Sequence, residues 1–264
     1  MQKASLYSAL LFTSWLLCGF ALAQSSPDAD KCPKAASGLG DEKIVDCTLT
    51  ITSGELSSAN LALTFYNRGN AWLRKGDYDQ AIADYDQAVR LNPQHAGSYL
   101  NRGNAWSSRG DYDRAIADYD EAIRINPQLA IAYFNRGNAW QRKHDYDRAL
   151  AEYSEVIRLD PRFAMAYFNR GNAWSSKGDY DRALADYSEV IRLTPQYADP
   201  YINRGNAWSN KGDYDRAIAD YDEAIRLNPQ VPIAYLNRAN AWSSKGDDDR
   251  AIADYDEAIR LNPR

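Results

Sequence analysis

Apolar and polar positions along this chain recur with one period over most of its length. Between Ala130 and Leu159, Tyr133, Arg136, Gly137 and Trp140 fall at i, i+3, i+4 and i+7, one stripe of a first helix. Gly137 leaves room on that stripe for a neighbouring helix to approach closely. Lys143-His144-Asp145 closes the first helix, and Asp145 is placed to N-cap a second one, with Asp147 adding negative charge at its positive end. Ala149, Tyr153 and Val156-Ile157 form the apolar stripe of that second helix, which Asp160-Pro161 ends. The phrase Asn-Arg-Gly-Asn-Ala-Trp that opens this pattern begins at Asn67, Asn101, Asn135, Asn169 and Asn203, and with Ala for Gly at Asn237, always 34 residues apart. A fixed period of this size marks a repeat array, in which identical phrases exist to make identical interfaces between stacked helix pairs.

The closing turn carries Gly in five of the six copies and His144 in the other, so His144 must take a left-handed conformation that suits Gly better. On the outer surface, Asp86–Arg90, Asp120–Arg124, Asp222–Arg226 and Asp256–Arg260 are spaced as i, i+4 pairs with the acid first.

These residues resemble the tetratricopeptide repeat family. Its pattern of an aromatic, Leu-Gly, Tyr, Ala, an aromatic and Pro corresponds to Tyr133, Arg136-Gly137, Trp140, Ala149, Tyr153 and Pro161. The resemblance implies an all-α, right-handed superhelical solenoid of helix–turn–helix units. Six full repeats span 62–264, preceded by a degenerate one in which Ile44 and Cys47 take the Ile and Tyr places of a second helix. Residues around Ser53 to Ala59 lengthen the loop after it. Two departures stand out. Arg68, Arg102, Arg136, Arg170, Arg204 and Arg238 occupy a place that is usually Leu, and each copy has an acid near the middle of its second helix, among them Asp84, Asp118, Glu152 and Asp254. Two readings are open: an ion pair between the helices of each repeat, or an Arg stem packed along the rings with its head in water.

The family implies a concave groove lined by the first helices. Helical spacing puts Ile131, Phe134, Asn138 and Gln141 on that face of one copy. Along the array this gives an apolar line of Tyr66, Leu100, Phe134, Phe168, Ile202 and Leu236 beside an Asn ladder of Asn70, Asn104, Asn138, Asn172, Asn206 and Asn240. Asn offers both a donor and an acceptor, which suits the backbone of an extended peptide, while the apolar line would receive side chains. The alternative is that both rows hold neighbouring helices together. The carboxylate clamp by which chaperone-tail binders of this family hold their ligands is absent, since Tyr66, Leu100, Gly97 and Ile131 stand in its places. Arg74 and Arg142 lie one turn further along.

Composition narrows the function. A net charge of −5 argues against general affinity for nucleic acid or anionic membranes. Only His95 and His144 are present, in connecting segments, and the chain has no phosphate loop or HExxH motif. Neither catalysis, a metal nor a cofactor is expected. The repeated carboxylates read as solvated helix faces.

The N-terminus reads as a secretion signal: Lys3, an apolar run, and Ala21-Leu22-Ala23 before a cleavage site, giving 1–23 as signal peptide and a chain from Gln24. An uncleaved membrane anchor is the alternative, because Ala4 to Ala23 is long enough to span. Leu17 before Cys18 is too bulky for a lipoprotein site. In the exported segment 24–61, a Cys32–Cys47 disulfide would close a loop of 14 residues, worth up to about 3 kcal/mol. The expected location is periplasmic or secreted, with no membrane contact after cleavage.

The sequence therefore reads as a non-enzymatic scaffold for a protein or extended peptide. A second reading is self-association into a homo-oligomer. The chain stops at Pro263-Arg264 directly after the last second helix, which would leave Tyr255, Ala258 and Ile259 open to another first helix.

Overall fold

The computed structural model describes residues 40–54 and 56–262. The signal segment 1–23, Cys18 and Cys32 lie outside them. The described residues form thirteen α-helices and no strands, arranged in two compact units divided at Pro93.

In the first unit, α1 (Gly40–Thr52) packs on α2 (Ser58–Lys75), which packs on α3 (Tyr78–Leu91). Ile44 and Cys47 are buried, as expected of the worn second helix. The boundary at residue 62 falls inside α2. That helix starts earlier because the Ser57 hydroxyl accepts from the Asn60 amide and caps it, so Ser58 and Ala59 are helical and not part of the loop.

The second unit is five successive helix pairs: α4 (Ala96–Ser108) with α5 (Tyr112–Ile125), α6 (Ala130–Arg142) with α7 (Tyr146–Leu159), α8 (Ala164–Ser176) with α9 (Tyr180–Leu193), α10 (Ala198–Asn210) with α11 (Tyr214–Leu227), and α12 (Pro232–Ser244) with α13 (Asp248–Leu261). Each second helix also packs on the next first helix. First helices touch one another in succession, α4 to α6 and so on to α12, whereas no second helix touches the next second helix. The first helices are therefore the closer-set, inner row of this unit.

The turns follow the sequence. Asp77, Asp111, Asp145, Asp179, Asp213 and Asp247 each accept from the backbone amide three residues on, capping the second helices. The glycine before each cap has a positive φ, and His144 takes the same place at φ 60°. Within the repeats the small residue on the first helix is required: a Cβ at Gly171 would lie 2.8 Å from Cε1 of Tyr187, whose ring fills the space. Lys143–Asp113, Lys177–Asp147, Lys211–Asp181 and Lys245–Asp215 pair adjacent repeats through solvent-exposed groups, a second use of the helix-start acids.

Of the two readings for the recurrent Arg, the ion pair forms. Arg170 donates from Nε to Asp186 Oδ2 at 2.9 Å and from Nη2 to Oδ1 at 2.7 Å. Arg68–Asp84, Arg102–Asp118, Arg204–Asp220 and Arg238–Asp254 repeat the fork. The third nitrogen reaches one repeat back, to Ser154 from Arg170 and to Ser188 from Arg204, both at about 3 Å. Packing on the ring three residues earlier occurs as well, with Arg170 over Tyr167 at 5.7 Å. The guanidinium is thus a clamp on three helices. Glu152 is the odd member. Its extra methylene lets it take only Nη2 of Arg136, at 2.8 Å, and Arg136 Nε is left buried without a partner.

Among the described residues, the expected i, i+4 pairs Asp120–Arg124, Asp222–Arg226 and Asp256–Arg260 do not form. Arg124, Arg226 and Arg260 bind Glu121, Glu223 and Glu257, three residues before them, and Arg90 binds Gln87. Asp120 and Asp222 are drawn instead to Arg136 and Arg238 of the following repeat. A charged partner already held by a second contact competes better than a free surface Arg, which must be ordered first.

Candidate functional site

Each first helix places its Asn ladder residue one turn after its apolar-line residue. In the second unit, Leu100, Phe134 and Phe168 are half-buried. Phe134 leans on Tyr153 and Phe163, with ring centroids 6.0 and 5.1 Å away, and Phe168 leans on Tyr187 at 6.1 Å. Ile202 drops out of the line. It is 5% exposed and packs with Ala224, Val231 and Ala234, because the short β-branched chain stays in the gap between helices where a Phe ring projects past it. Leu236 is the most open member, at 40%. In the first unit, Tyr66 lies 6.1 Å from Tyr85.

The Asn ladder is held more firmly than its sequence suggested. Asn138 Oδ1 accepts from Asn169 Nδ2 of the next repeat at 2.8 Å and lies 2.8 Å from Tyr153 Oη, whose single proton it shares with Gln141 Oε1 at 2.7 Å. Asn104, Asn172 and Asn206 accept both from a Tyr hydroxyl and from the next repeat's Asn, with Tyr119 and Asn135, Tyr187 and Asn203, and Tyr221 and Asn237. Asn70 and Asn240 accept from Tyr85 and Tyr255. Burial pushes the Tyr119, Tyr153, Tyr187 and Tyr221 hydroxyls far above the ordinary phenol range, so they remain donors.

A carbonyl oxygen has two lone pairs, and at Asn104, Asn172 and Asn206 both are used. The ladder therefore cannot offer the acceptor that the sequence reading assigned to it. What it presents is the amide N–H: the Nδ2 groups of Asn138, Asn172 and Asn206 have no hydrogen bond within the described residues and are not buried. The oxygens of the row tie neighbouring repeats together, and these nitrogens are left over. The other Asn of each repeat, three residues before the ladder position at 135, 169, 203 and 237, supplies the link, and its recurrence in every copy is the signal available in the sequence.

Around these donors the face is neutral. Ser107, Ser175, Ser209 and Ser243 follow the ladder, with Gln141 in the corresponding place of α6. Arg142 and Asp199 are the charged exceptions among the positions that share this face in the second unit. Among the described residues no group of three His, Cys, Asp or Glu side chains is placed to hold a metal, and no helix is long and apolar enough to cross a membrane. Tyr255 and Ala258 on α13 are half-buried, and Ile259 is exposed.

Comparison with known proteins agrees with this architecture. No curated protein matches the sequence significantly. Among solved structures, the C-terminal part of a TPR repeat-containing protein from Cytophaga hutchinsonii superposes with a TM-score of 0.73 at 17% identity, covering 85% of this chain and 91% of its own. MamA from Desulfovibrio magneticus RS-1 gives 0.61 at 22% identity, over 64% of this chain and 95% of its own. YrrB, described as a TPR protein with an unusual peptide-binding site, gives 0.60 at 23% identity, over 71% and 95%. These likenesses establish the fold. A family model for the tetratricopeptide repeat matches residues 66–130, 134–198 and 203–264. The chain belongs to the tetratricopeptide repeat family.

Proposed function

We propose that the chain is a non-catalytic, exported scaffold that holds a protein or an extended peptide on the face of its first helices. The observation that carries this is the row of Asn amide N–H groups left over at Asn138, Asn172 and Asn206, each amide held through its oxygen by a neighbouring Asn and set against a Tyr hydroxyl, beside half-buried Phe rings. Fixed donors at one spacing suit the carbonyls of an extended backbone, and preorganisation lowers the ordering cost of binding. Apolar side chains of the ligand would meet Leu100, Phe134, Phe168 and Leu236. Export rests on the 1–23 signal, with an uncleaved anchor as its alternative, and a Cys32–Cys47 bridge belongs to the same reading; Cys47 is buried on α1.

The test is affinity capture from an extract of the exported fraction, with the chain as one bait and a Phe134→Ala, Phe168→Ala variant of checked helicity as the other. A partner retained by the first and lost by the second supports the reading. A partner retained equally by both contradicts it.

A second reading is favoured by α13. Ile252 is 58% exposed and Ile259 63%, whereas Ile218, the counterpart of Ile252 in α11, is 6% exposed because α12 covers it. A second copy covering this face would give a homo-oligomer. Sedimentation that shows concentration-dependent association, abolished by Ile259→Glu, supports it, and a monomer at all concentrations removes it.

A further inference from the structure

The first-turn position that shares the groove face is apolar or bare in four repeats of the second unit, at Gly97, Ile131, Met165 and Ile233. The remaining repeat holds Asp199. Ile233 packs on the cluster around Ile202 and Val231, so the fold fills this place with hydrocarbon. Asp199 is half-buried, and loss of hydration raises its carboxyl above the ordinary aspartate range. No hydrogen bond or ion pair reaches it within the described residues. The other shielded aspartates of the second unit, Asp118, Asp186, Asp220 and Asp254, each hold an Arg.

An acid in a first turn is often there for the helix dipole. Asp199 differs from the chain's other first-turn acids, which stand in solvent, at Asp113, Asp147, Asp181 and Asp215. A desolvated carboxylate without a cation is a cost to the free protein that an arriving cation relieves. On its own helix Asp199 shares a face with Asn206 and Ser209, the ladder and hydroxyl positions of that repeat. A ligand lying on the Asn donors therefore passes it.

We propose that Asp199 is the anchor for a Lys or Arg side chain of an extended peptide bound along the first helices. The basic head pairs with the carboxylate while its hydrocarbon stem lies against the apolar surroundings. The anchor gives one repeat of a nearly uniform array an identity, and so sets the register of the ligand. This inference rests on the peptide-binding reading of the same face.

The test is selection from a random-peptide library displayed on phage, with the chain, Asp199→Ile and Phe168→Ala as baits. Ile already occupies the equivalent place at Ile131 and Ile233, so Asp199→Ile is expected to keep the fold. The chain should enrich peptides with Lys or Arg at one fixed distance from an apolar residue, and Asp199→Ile should enrich the apolar residue without the basic one. A synthetic copy of the preferred peptide should bind Asp199→Ile about tenfold more weakly. Its Lys-to-Met version should bind both proteins alike. Enriched peptides without a basic preference, lost with Phe168→Ala, overturn the anchor and leave the groove standing. If Phe168→Ala changes nothing, or no peptide is enriched, the groove reading falls and the anchor with it.

Discussion

Replacing Arg170 with Leu restores the residue usual at this place in the repeat, yet it should destabilise the protein. In the structure the Arg170 fork holds Asp186, with side-chain exposures of 22% and 7%, and its third nitrogen holds Ser154 at 3.0 Å. Leu would keep the apolar contact with Tyr167 but leave the Asp186 carboxylate shielded and unpaired. Removing one partner of a fully buried pair costs 3–5 kcal/mol, and the partly open Arg puts this case near the lower limit, about 3 kcal/mol. The pH dependence is the sharper signature. Burial already holds the Asp186 carboxyl above its ordinary value of 3.8, with Arg170 pulling it back. Without Arg170 it rises further, so the folded variant binds the proton more tightly than the unfolded chain. The deficit of the variant is then full above its raised folded value, shrinks as the pH falls through that value, and is smallest below 3.8, where the group is neutral in both states. Urea unfolding followed by circular dichroism at neutral pH and at about pH 4, fitted with a nearest-neighbour model suited to repeat arrays, measures both quantities. A deficit near zero at neutral pH would refute the clamp, and one that does not change with pH would refute its electrostatic origin.

Three further outcomes follow from single sites. Glu152→Asp should restore the two-pronged fork and give Arg136 Nε a partner, raising stability by about 1 kcal/mol, measured by the same unfolding assay. His144→Gly should also stabilise, by roughly 0.5–1 kcal/mol in thermal unfolding, because a side chain at φ 60° is strained and the contact of its ring with Tyr146 Oη recovers only part of that. Gly171→Ala should destabilise by about 1–3 kcal/mol, since its Cβ would lie 2.8 Å from the Tyr187 ring, and near-ultraviolet circular dichroism should report the displaced tyrosine.

The repeat architecture was legible because every level of the sequence agreed: period, stripe, cap and turn residue all marked the same boundaries. The Arg–acid pairing was legible as a possibility, since both partners recur together, but choosing it over a solvated Arg required the distance between two helices. Local rules failed where a longer contact competed. Asp120 has Arg124 at the favoured helical spacing and still binds Arg136, because that guanidinium is already held by Glu152. The start of α2 was misplaced for a simpler reason, a Ser cap outside the repeat phrase. On the candidate site, the residues of the line were found but not their burial. Ile202 and Phe168 hold equivalent positions and differ only in reach. The use of both Asn lone pairs depends on a Tyr fifteen residues ahead and an Asn in another repeat. Asp199 is not legible as a site from the sequence, because an acid in a first turn is unremarkable until its surroundings are known.

The central claim is that ligands meet the inner row of helices. It is tested most directly by installing a photo-reactive side chain at Phe168 on the groove face, at Glu189 on the outer helix α9, or at Ile259 on α13, and illuminating each variant in the exported fraction. The account predicts one specific cross-linked partner from position 168 and none from position 189 or 259. A partner captured from position 189, or only a second copy of the chain from position 259, would contradict it.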